Sequence, residues 1–157
     1  MEAEAGKRYA HYVPYVESYV EFVFVDERLR SVSFPEEPTP DAAEEHELLD
    51  RLDRYLSGTA EDEFRDVEVD IELPAVEREV LEAVRALPYG ENASVLDIAR
   101  SVPEYDAGTD EDLDAIREIL DRNPIPVIVP DHRVRDGPSA TPPRVEQRLR
   151  SLEQLVA

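Results

Sequence analysis

The hydrophobic and polar positions in the first third of the chain predict a β-hairpin. Residues 19–35 read YVEFVFVDERLRSVSFP: an apolar run, a polar turn at DER, and then alternating apolar residues at Leu29, Val32 and Phe34. This pattern is typical of two antiparallel strands joined by a short turn. The acidic segment 35–45, which contains three prolines, is predicted to be a surface loop.

A helix and a further strand are predicted to complete this first part. In HELLDRLDRYLSG, residues 46–58, the apolar residues have helical spacing and the pattern stops at Gly58, a favourable C-terminal signal. In VEVDIELP, residues 67–74, apolar and polar residues alternate as in a strand until Pro74. Residues 1–74 are therefore expected to form a small α+β domain.

Residues 75–157 are predicted to form a mostly helical second domain. AVEREVLEAVRALPYG has one apolar face and ends at Pro88 and Gly90. Two short helices are expected at about 94–102 and 110–122, the second with Thr109 and Asp112 as a capping box. An apolar strand, NPIPVIV, is expected after them. Two short helices and a strand are the pattern of a winged helix-turn-helix, although most short helix pairs only pack against each other.

The charge of the chain indicates an adaptation to salt. The formal net charge is -21, Lys7 is the only lysine, and acidic residues occur in every segment. This composition is typical of proteins from salt-loving archaea, because molar salt screens the repulsion between carboxylates. A nucleic-acid mimic or a docking surface for basic partners would instead require a clustered acidic stripe, which the sequence does not show.

The composition also excludes several kinds of chemistry. The chain has no cysteine, so it can form no disulfide, thiolate metal site or cysteine nucleophile. His11 and His46 lack a second metal ligand at useful spacing and are interpreted as surface residues, so neither a metal nor another cofactor is expected. The apolar runs are too short for a signal peptide or a membrane span, and we expect a soluble, cytoplasmic monomer. Four tyrosines near helical spacing, at positions 9, 12, 15 and 19, are interpreted as packing residues, not as a base-stacking platform.

Residues 80–134 carry a specific resemblance. VLEAVRALPYGENASVLDIARSV followed by NPIPVIVPDHRV resembles the C-terminal domain of the methylated-DNA–protein cysteine methyltransferases, whose pattern is an Ile-Pro-Tyr-Gly turn, a Ser-Tyr-Gly-Asp-Ile-Ala helix and Asn-Pro-…-Ile-Pro-Cys-His-Arg-Val. The first domain is more loosely similar to the variable, ribonuclease-H-like first domain of that family. The resemblance implies an α+β protein with a winged helix-turn-helix second domain.

The resemblance assigns roles to particular residues. A family cysteine takes an alkyl group from a guanine that has been rotated out of the duplex, and Asp131 occupies its place. Asn123 would help to build the site, and His132 would activate the nucleophile through water. Glu153 is the nearest candidate for the glutamate of the family's network. A simpler interpretation is that Asp131 caps a following helix.

The DNA-contacting positions of the family are degenerate in this chain. Asp114 stands where an arginine enters the base stack, and Val95, after Ser94, stands where a tyrosine helps to turn the nucleotide. The remaining family-equivalent contacts are Arg133 and Arg135. The segment RDGPSATPPR is shorter than the family's pocket loop. Arginines are locally enriched near the C-terminus, at positions 133, 135, 144, 148 and 150, and they either pair with the acidic body or form a relocated phosphate-contacting patch.

Three functions follow from the resemblance. The first is a non-catalytic, alkyltransferase-like protein that senses alkylated guanine in double-stranded DNA and works with a repair protein partner. The second is a divergent member that has lost DNA binding and acts through protein partners. In the third, least favoured, Asp131 itself accepts the alkyl group as an ester. We expect no enzymatic activity.

Overall fold

The computed structural model describes residues 6–155. Its N-terminal part is an antiparallel sheet with strand order β1-β2-β3, made of β1 (Lys7–Val13), β2 (Ser18–Val25) and β3 (Arg28–Ser33). The predicted hairpin is confirmed as β2 and β3. Its turn residues Asp26 and Glu27 have φ values of 53° and 67°, and such a left-handed pair suits the twist of a two-residue hairpin.

Strand β1 is not predicted by the spacing of the tyrosines. Tyr9 and Tyr12 lie on β1, where they pair with Phe22 and Tyr19 of β2. Tyr15 belongs to a 3-10 turn, Pro14–Val16, that joins the two strands. The interpretation of all four tyrosines as packing residues is wrong for two of them, because Tyr12 and Tyr15 are 49% and 53% exposed.

The strand predicted at residues 67–74 does not form. The segment runs beside β3 and exchanges two hydrogen bonds with Leu29, from the Leu29 N–H to the Glu68 carbonyl and from the Asp70 N–H to the Leu29 carbonyl, both 2.9 Å. The chain then bends at Leu73 before the next helix. The alternating residues therefore pack against the core from an extended loop with a single bridge.

Helix α1 (Glu47–Ser57) forms as predicted and ends at Gly58, whose φ is 84°. His46 is not a free surface residue. Its Nδ1 accepts a hydrogen bond from the Leu48 N–H at 2.9 Å, and its ring stacks on Phe24 with centroids 4.9 Å apart. His46 is thus the N-cap of α1, and His11 is also only half exposed.

The second part contains α2 (Ala75–Arg85), α3 (Val95–Ser101), α4 (Asp110–Asp121) and α5 (Pro143–Glu153). Helices α3 and α4 form the helix-turn-helix and both contact α2. Thr109 caps α4 by accepting the Asp112 N–H at 3.3 Å, but the Asp112 carboxylate accepts the Asp106 N–H, so only half of the expected capping box exists. Ser94 and Asp97 form a complete box at α3.

The apolar segment NPIPVIV is buried but is not a strand. Its two prolines, Pro124 and Pro126, have no N–H to give to a ladder, and Val127 takes a left-handed φ of 77°. The segment folds into a tight loop in which the Val129 N–H donates to the Ile125 carbonyl at 2.9 Å. The Pro124 carbonyl accepts the Val32 N–H at 3.0 Å, which joins this loop to β3.

Buried apolar residues from both parts of the chain form one contiguous core, from Val13 in β1 to Leu149 in α5. The domain boundary predicted at residue 74 falls just before α2 and stays a prediction. Within residues 6–155, none of the helices is both long enough and apolar enough to cross a membrane.

Candidate functional site

Asp131 lies at the start of a 3-10 turn, Asp131–Arg133, and is fully buried. Its Oδ2 accepts hydrogen bonds from Asn123 Nδ2 at 3.0 Å and from the Ala140 N–H at 2.9 Å. Its Oδ1 accepts from Ser139 Oγ at 2.6 Å. The capping interpretation is wrong, because this carboxylate bonds across the chain and caps no helix.

Asn123 holds the loop that presents Asp131. Besides its bond to Asp131, Nδ2 donates to the Val129 carbonyl at 3.0 Å, and Oδ1 accepts the Ile125 N–H at 3.0 Å. The amide therefore fixes both ends of the buried loop. The structure brings Asn123 and Asp131 together as the sequence motif predicts.

Segment 136–141 covers the other side of Asp131. Ser139 Oγ also lies 2.7 Å from Thr141 Oγ1 and accepts the Thr141 N–H at 3.1 Å. Gly137 lies so close to α4 that an added Cβ would meet Leu120 Cδ1 at 2.7 Å. The segment is thus tightly seated, and no part of the Asp131 side chain faces solvent.

Burial raises the pKa of Asp131, and the hydrogen bonds from Ala140, Ser139 and Asn123 only partly offset this effect. The folded protein therefore holds the proton on this carboxyl more tightly than an exposed aspartate would. A shielded carboxyl of this kind is a poor nucleophile, because its oxygens are both occupied and inaccessible.

Glu153 accepts hydrogen bonds from four residues in three parts of the chain. His132 Nε2 lies 2.9 Å from its Oε2, and Arg133 Nε donates to its Oε1 at 2.8 Å. The Gly90 N–H donates to Oε1 at 3.0 Å, and the Tyr55 hydroxyl makes a short hydrogen bond to Oε2. Glu153 is buried, which alone would raise its pKa, but the hydrogen bonds and positive charges of His132 and Arg133 lower it to about 2.

The ionised Glu153 is an acceptor, so His132 Nε2 is the donor of this pair. The other ring nitrogen of His132 is Nδ1. That Nδ1 is buried and has no hydrogen-bond partner among residues 6–155.

The residues assigned to DNA contact do not form one surface. Asp114 is exposed and pairs with Arg117 at 2.8 Å, and Arg135 is exposed and donates to Asn92 at 3.0 Å. Val95 is fully buried in the core. Arg133 is only 2% exposed and also donates to the Leu87 carbonyl at 2.7 Å, so its assignment as a DNA contact is wrong in this conformation. Ser94 is engaged as the cap of α3.

The C-terminal arginines mostly bind within the chain. Arg148 Nε donates to the Leu56 carbonyl at 2.9 Å, and Arg150 pairs with Glu146 at 3.0 Å. Arg144 Nη1 donates to the Glu17 carbonyl at 3.2 Å, while its side chain stays 60% exposed. These contacts support the intramolecular interpretation of the arginines over a relocated phosphate-binding patch.

Three residues at the site are not assigned by the sequence. Ser139 and Ala140 lie in a loop with no motif of its own. Tyr55 carries a helical signal, which places it in the core of α1, but its partner Glu153 lies 98 residues away. Only the folded chain brings these groups together.

Comparison with known proteins identifies the family. The model of the 6-O-methylguanine DNA methyltransferase DNA-binding domain matches residues 75–152. A methylated-DNA–protein-cysteine methyltransferase of Methanopyrus kandleri is 38% identical over 106 residues, which cover 66% of this chain and 75% of that protein. This chain belongs to the methylated-DNA–protein-cysteine methyltransferase family of DNA repair alkyltransferases. The resemblance of the sequence to this family is confirmed.

Further relatives agree with this assignment. The methyltransferase of the same name from Archaeoglobus fulgidus is 34% identical over 95 residues, 59% of this chain and 57% of that protein. The structure of Mycobacterium tuberculosis O6-methylguanine methyltransferase has a TM-score of 0.70 at 22% identity and covers 95% of this chain and 91% of its own. A Mycobacterium tuberculosis OGT structure in complex with DNA matches equally well, with a TM-score of 0.70 at 22% identity over 94% of this chain and 91% of its own. These structures confirm the predicted α+β fold class.

Proposed function

We propose that this chain is a non-transferring member of the family, which acts in DNA repair by sensing alkylated guanine in duplex DNA. The observation that carries the proposal is the buried state of Asp131. The relatives are named for a methyl-accepting cysteine, whereas this chain has no cysteine and has Asp131 in the matching motif. A carboxylate is a poorer nucleophile toward alkyl groups than a thiolate, and this one is inaccessible.

The sensing function rests on the framework around that site. The match to a DNA-binding domain model spans both helices of the helix-turn-helix. An extruded base can be read by hydrogen bonds and stacking without any chemistry. Because Ser139 and Ala140 cover Asp131, such a base enters only when segment 136–141 moves away from the carboxylate.

A second candidate function is binding to a protein partner without DNA. It is favoured by α4, the helix expected to face DNA, whose exposed residues include Asp110, Glu111, Asp114, Glu118 and Asp121. These charges repel a duplex that carries one negative charge per about 1.7 Å of its axis. A basic protein surface would be attracted instead.

The absence of transfer is tested by the intact mass of the protein after incubation with duplex that contains O6-methylguanine. We expect no change in mass, and we expect no transfer by Asp131→Cys alone, because Val95 and Asp114 still lack the family's base-turning groups. A stable gain of one methyl group on the wild type would mean that Asp131 accepts the alkyl group as an ester.

Sensing is tested by the affinity for matched duplexes with and without O6-methylguanine, measured over a series of salt concentrations. We expect tighter binding to the alkylated duplex. We expect Asp114→Arg to strengthen binding and to steepen the salt dependence by a slope of about one, as one new phosphate contact does. Asp41→Arg, which makes the same charge change in the loop before α1, is the control. If the folded wild type binds neither duplex, sensing is wrong and the protein-partner function replaces it.

A further inference from the structure

A groove with aromatic walls lies between the N-terminal sheet and the start of α5. It encloses about 710 Å³. Its walls include Tyr12, Tyr19 and Phe34 on one side and Pro142 and Pro143 on the other. The rings of Tyr12 and Tyr19 meet edge to face, with centroids 5.4 Å apart. The wall at Pro142 and Pro143 follows directly on segment 136–141.

Two exposed tyrosine side chains lie at or beside this groove. Within residues 6–155, the exposed large apolar side chains are Tyr12 and Tyr15. Tyr12 lines the groove, and Tyr15 lies in the 3-10 turn that supplies the lining residue Val16. Single exposed apolar residues need no explanation, but neighbouring ones beside a groove mark a binding surface.

The rim of the groove is held in a fixed and unusual conformation. Glu17, at the end of the 3-10 turn, has a φ of 53°, which is uncommon for a residue other than glycine. Its carbonyl accepts a hydrogen bond from Arg144 Nη1 at 3.2 Å, which ties the turn to α5. Strained backbone supported in this way is concentrated at functional sites.

The charges at the rim favour a cationic ligand. Glu17 and Glu36 both line the groove and are exposed, and Arg144 is the one basic residue in the lining. Arg144 lies 3.9 Å from the Glu17 carboxylate, so part of its charge is already balanced.

We propose that this groove binds an extended, proline-rich segment of a partner protein that carries an arginine. Proline-rich segments adopt a preformed extended helix and dock into grooves lined by aromatic residues. The arginine of the partner would pair with Glu36 and stack on a tyrosine. The same contact already exists inside the chain, where the Arg148 guanidinium lies 5.4 Å from the centre of the Tyr15 ring. This inference is independent of the proposed lesion-sensing function.

The test uses nuclear magnetic resonance titration of the full chain with three probes at one fixed salt concentration. The probes are a decaproline peptide with an arginine at each end, the same peptide with alanine in place of proline, and a thymidine oligonucleotide. We expect saturable shifts of the Tyr12 and Tyr19 ring signals with the proline peptide alone. No saturable shift with that peptide, an equal response to the alanine peptide, or tighter binding of the oligonucleotide overturns the proposal.

Three variants locate the binding. Tyr12→Ala is expected to weaken binding of the proline peptide by roughly two- to tenfold, the usual range for one aromatic contact. Glu36→Lys is expected to weaken binding of this peptide by about two- to fivefold. Glu37→Lys makes the same charge change at an adjacent exposed residue that does not line the groove, and it should leave the affinity unchanged. Equal losses in the two lysine variants would show that only net charge matters and would overturn the assignment of the arginine to Glu36.

Discussion

At the scale of single residues, Asp131 joins the loop that follows α4 to segment 136–141. One carboxylate oxygen accepts from Asn123 and Ala140 and the other from Ser139. A buried carboxylate that accepts three hydrogen bonds anchors the segments that supply the donors. The anchoring role explains why an aspartate is accommodated at a fully buried position.

Two substitutions of Asp131 distinguish the contribution of its hydrogen bonds to stability from that of its charge. Asp131→Ala leaves the half-buried Ala140 N–H without its acceptor, and we expect the free energy of unfolding to fall by about 1–3 kcal/mol. Asp131→Asn keeps an oxygen for that N–H and can donate to Ser139 Oγ, so the loss should be much smaller. Chemical denaturation at a fixed high salt concentration measures both changes.

The difference in stability between the wild type and Asp131→Asn should depend on pH with a definite sign. The pKa of Asp131 is raised in the folded state from its ordinary value of 3.8, so the stability linked to its proton is present below that value and is lost as pH rises through the folded-state pKa. As pH rises from 4, the free energy of unfolding of Asp131→Asn should therefore increase relative to that of the wild type. If the wild type gains instead, the carboxylate is stabilised in its charged form and the direction of the shift is wrong.

The site is only partly visible from the sequence at this scale. The motif predicts that Asn123 and Asp131 lie at one site, and the structure brings them into contact because both belong to one short segment. The motif also assigns Arg133 to DNA contact, although the residue is buried, because a family pattern gives the type of a residue and not its burial. The donors Ser139 and Ala140 depend on how the loop after residue 135 folds back, and no local pattern encodes that path.

At the scale of secondary-structure elements, α5 is attached to the rest of the molecule through Glu153. Its carboxylate contacts Tyr55 of α1, the turn that holds His132 and Arg133, and the Gly90 N–H in the loop before α3. Four donors around one buried charge fix both the position and the rotation of the helix.

Glu153→Gln should destabilise the protein by about 3–5 kcal/mol, because it leaves Arg133 buried without its counter-charge. Glu146→Gln is the matched control on the same helix, since Glu146 pairs with Arg150 in a partly buried i,i+4 contact worth less than about 1 kcal/mol. Thermal or chemical unfolding measures both variants. A similar small loss in the two would show that the buried network contributes no more than a surface pair.

The pH dependence of the Glu153 contribution also has a definite sign. The pKa of Glu153 is lowered from 4.5 to about 2 in the folded state, so its contribution is present above pH 4.5 and is lost as pH falls through about 2. The difference between wild type and Glu153→Gln should shrink over that window.

The elements that the sequence predicts correctly have strong local signals. The hairpin and helices α1 to α4 carry clear periodicity and end signals such as Gly58. The two strands predicted wrongly, at 67–74 and in NPIPVIV, have the correct apolar pattern, but strand formation also needs a neighbouring edge and free N–H groups. Strand β1 is stabilised by its pairing with β2, a contact between separate segments. The near-helical spacing of the tyrosines gives no signal for such a strand.

At the scale of the whole molecule, one core is surrounded by a strongly acidic surface. Some arginines bind backbone carbonyls inside the structure: Arg148 donates to the carbonyl of Leu56, and Arg85 donates to those of Phe64 and Val67. The chain holds 38 acidic residues against 17 basic ones. Folding brings these carboxylates closer together than they are in the extended chain.

The folded state should therefore depend strongly on salt. We expect the midpoint of thermal unfolding to rise markedly between dilute buffer and molar potassium chloride, because the screening length falls to about 3 Å at 1 M and removes most of the repulsion between exposed carboxylates. Circular dichroism at matched pH measures the midpoint, and tetramethylammonium chloride at equal ionic strength controls for effects specific to the potassium ion. A midpoint that stays flat across this range would contradict the adaptation to salt, and the acidic surface would then have to be explained as a docking surface for basic partners.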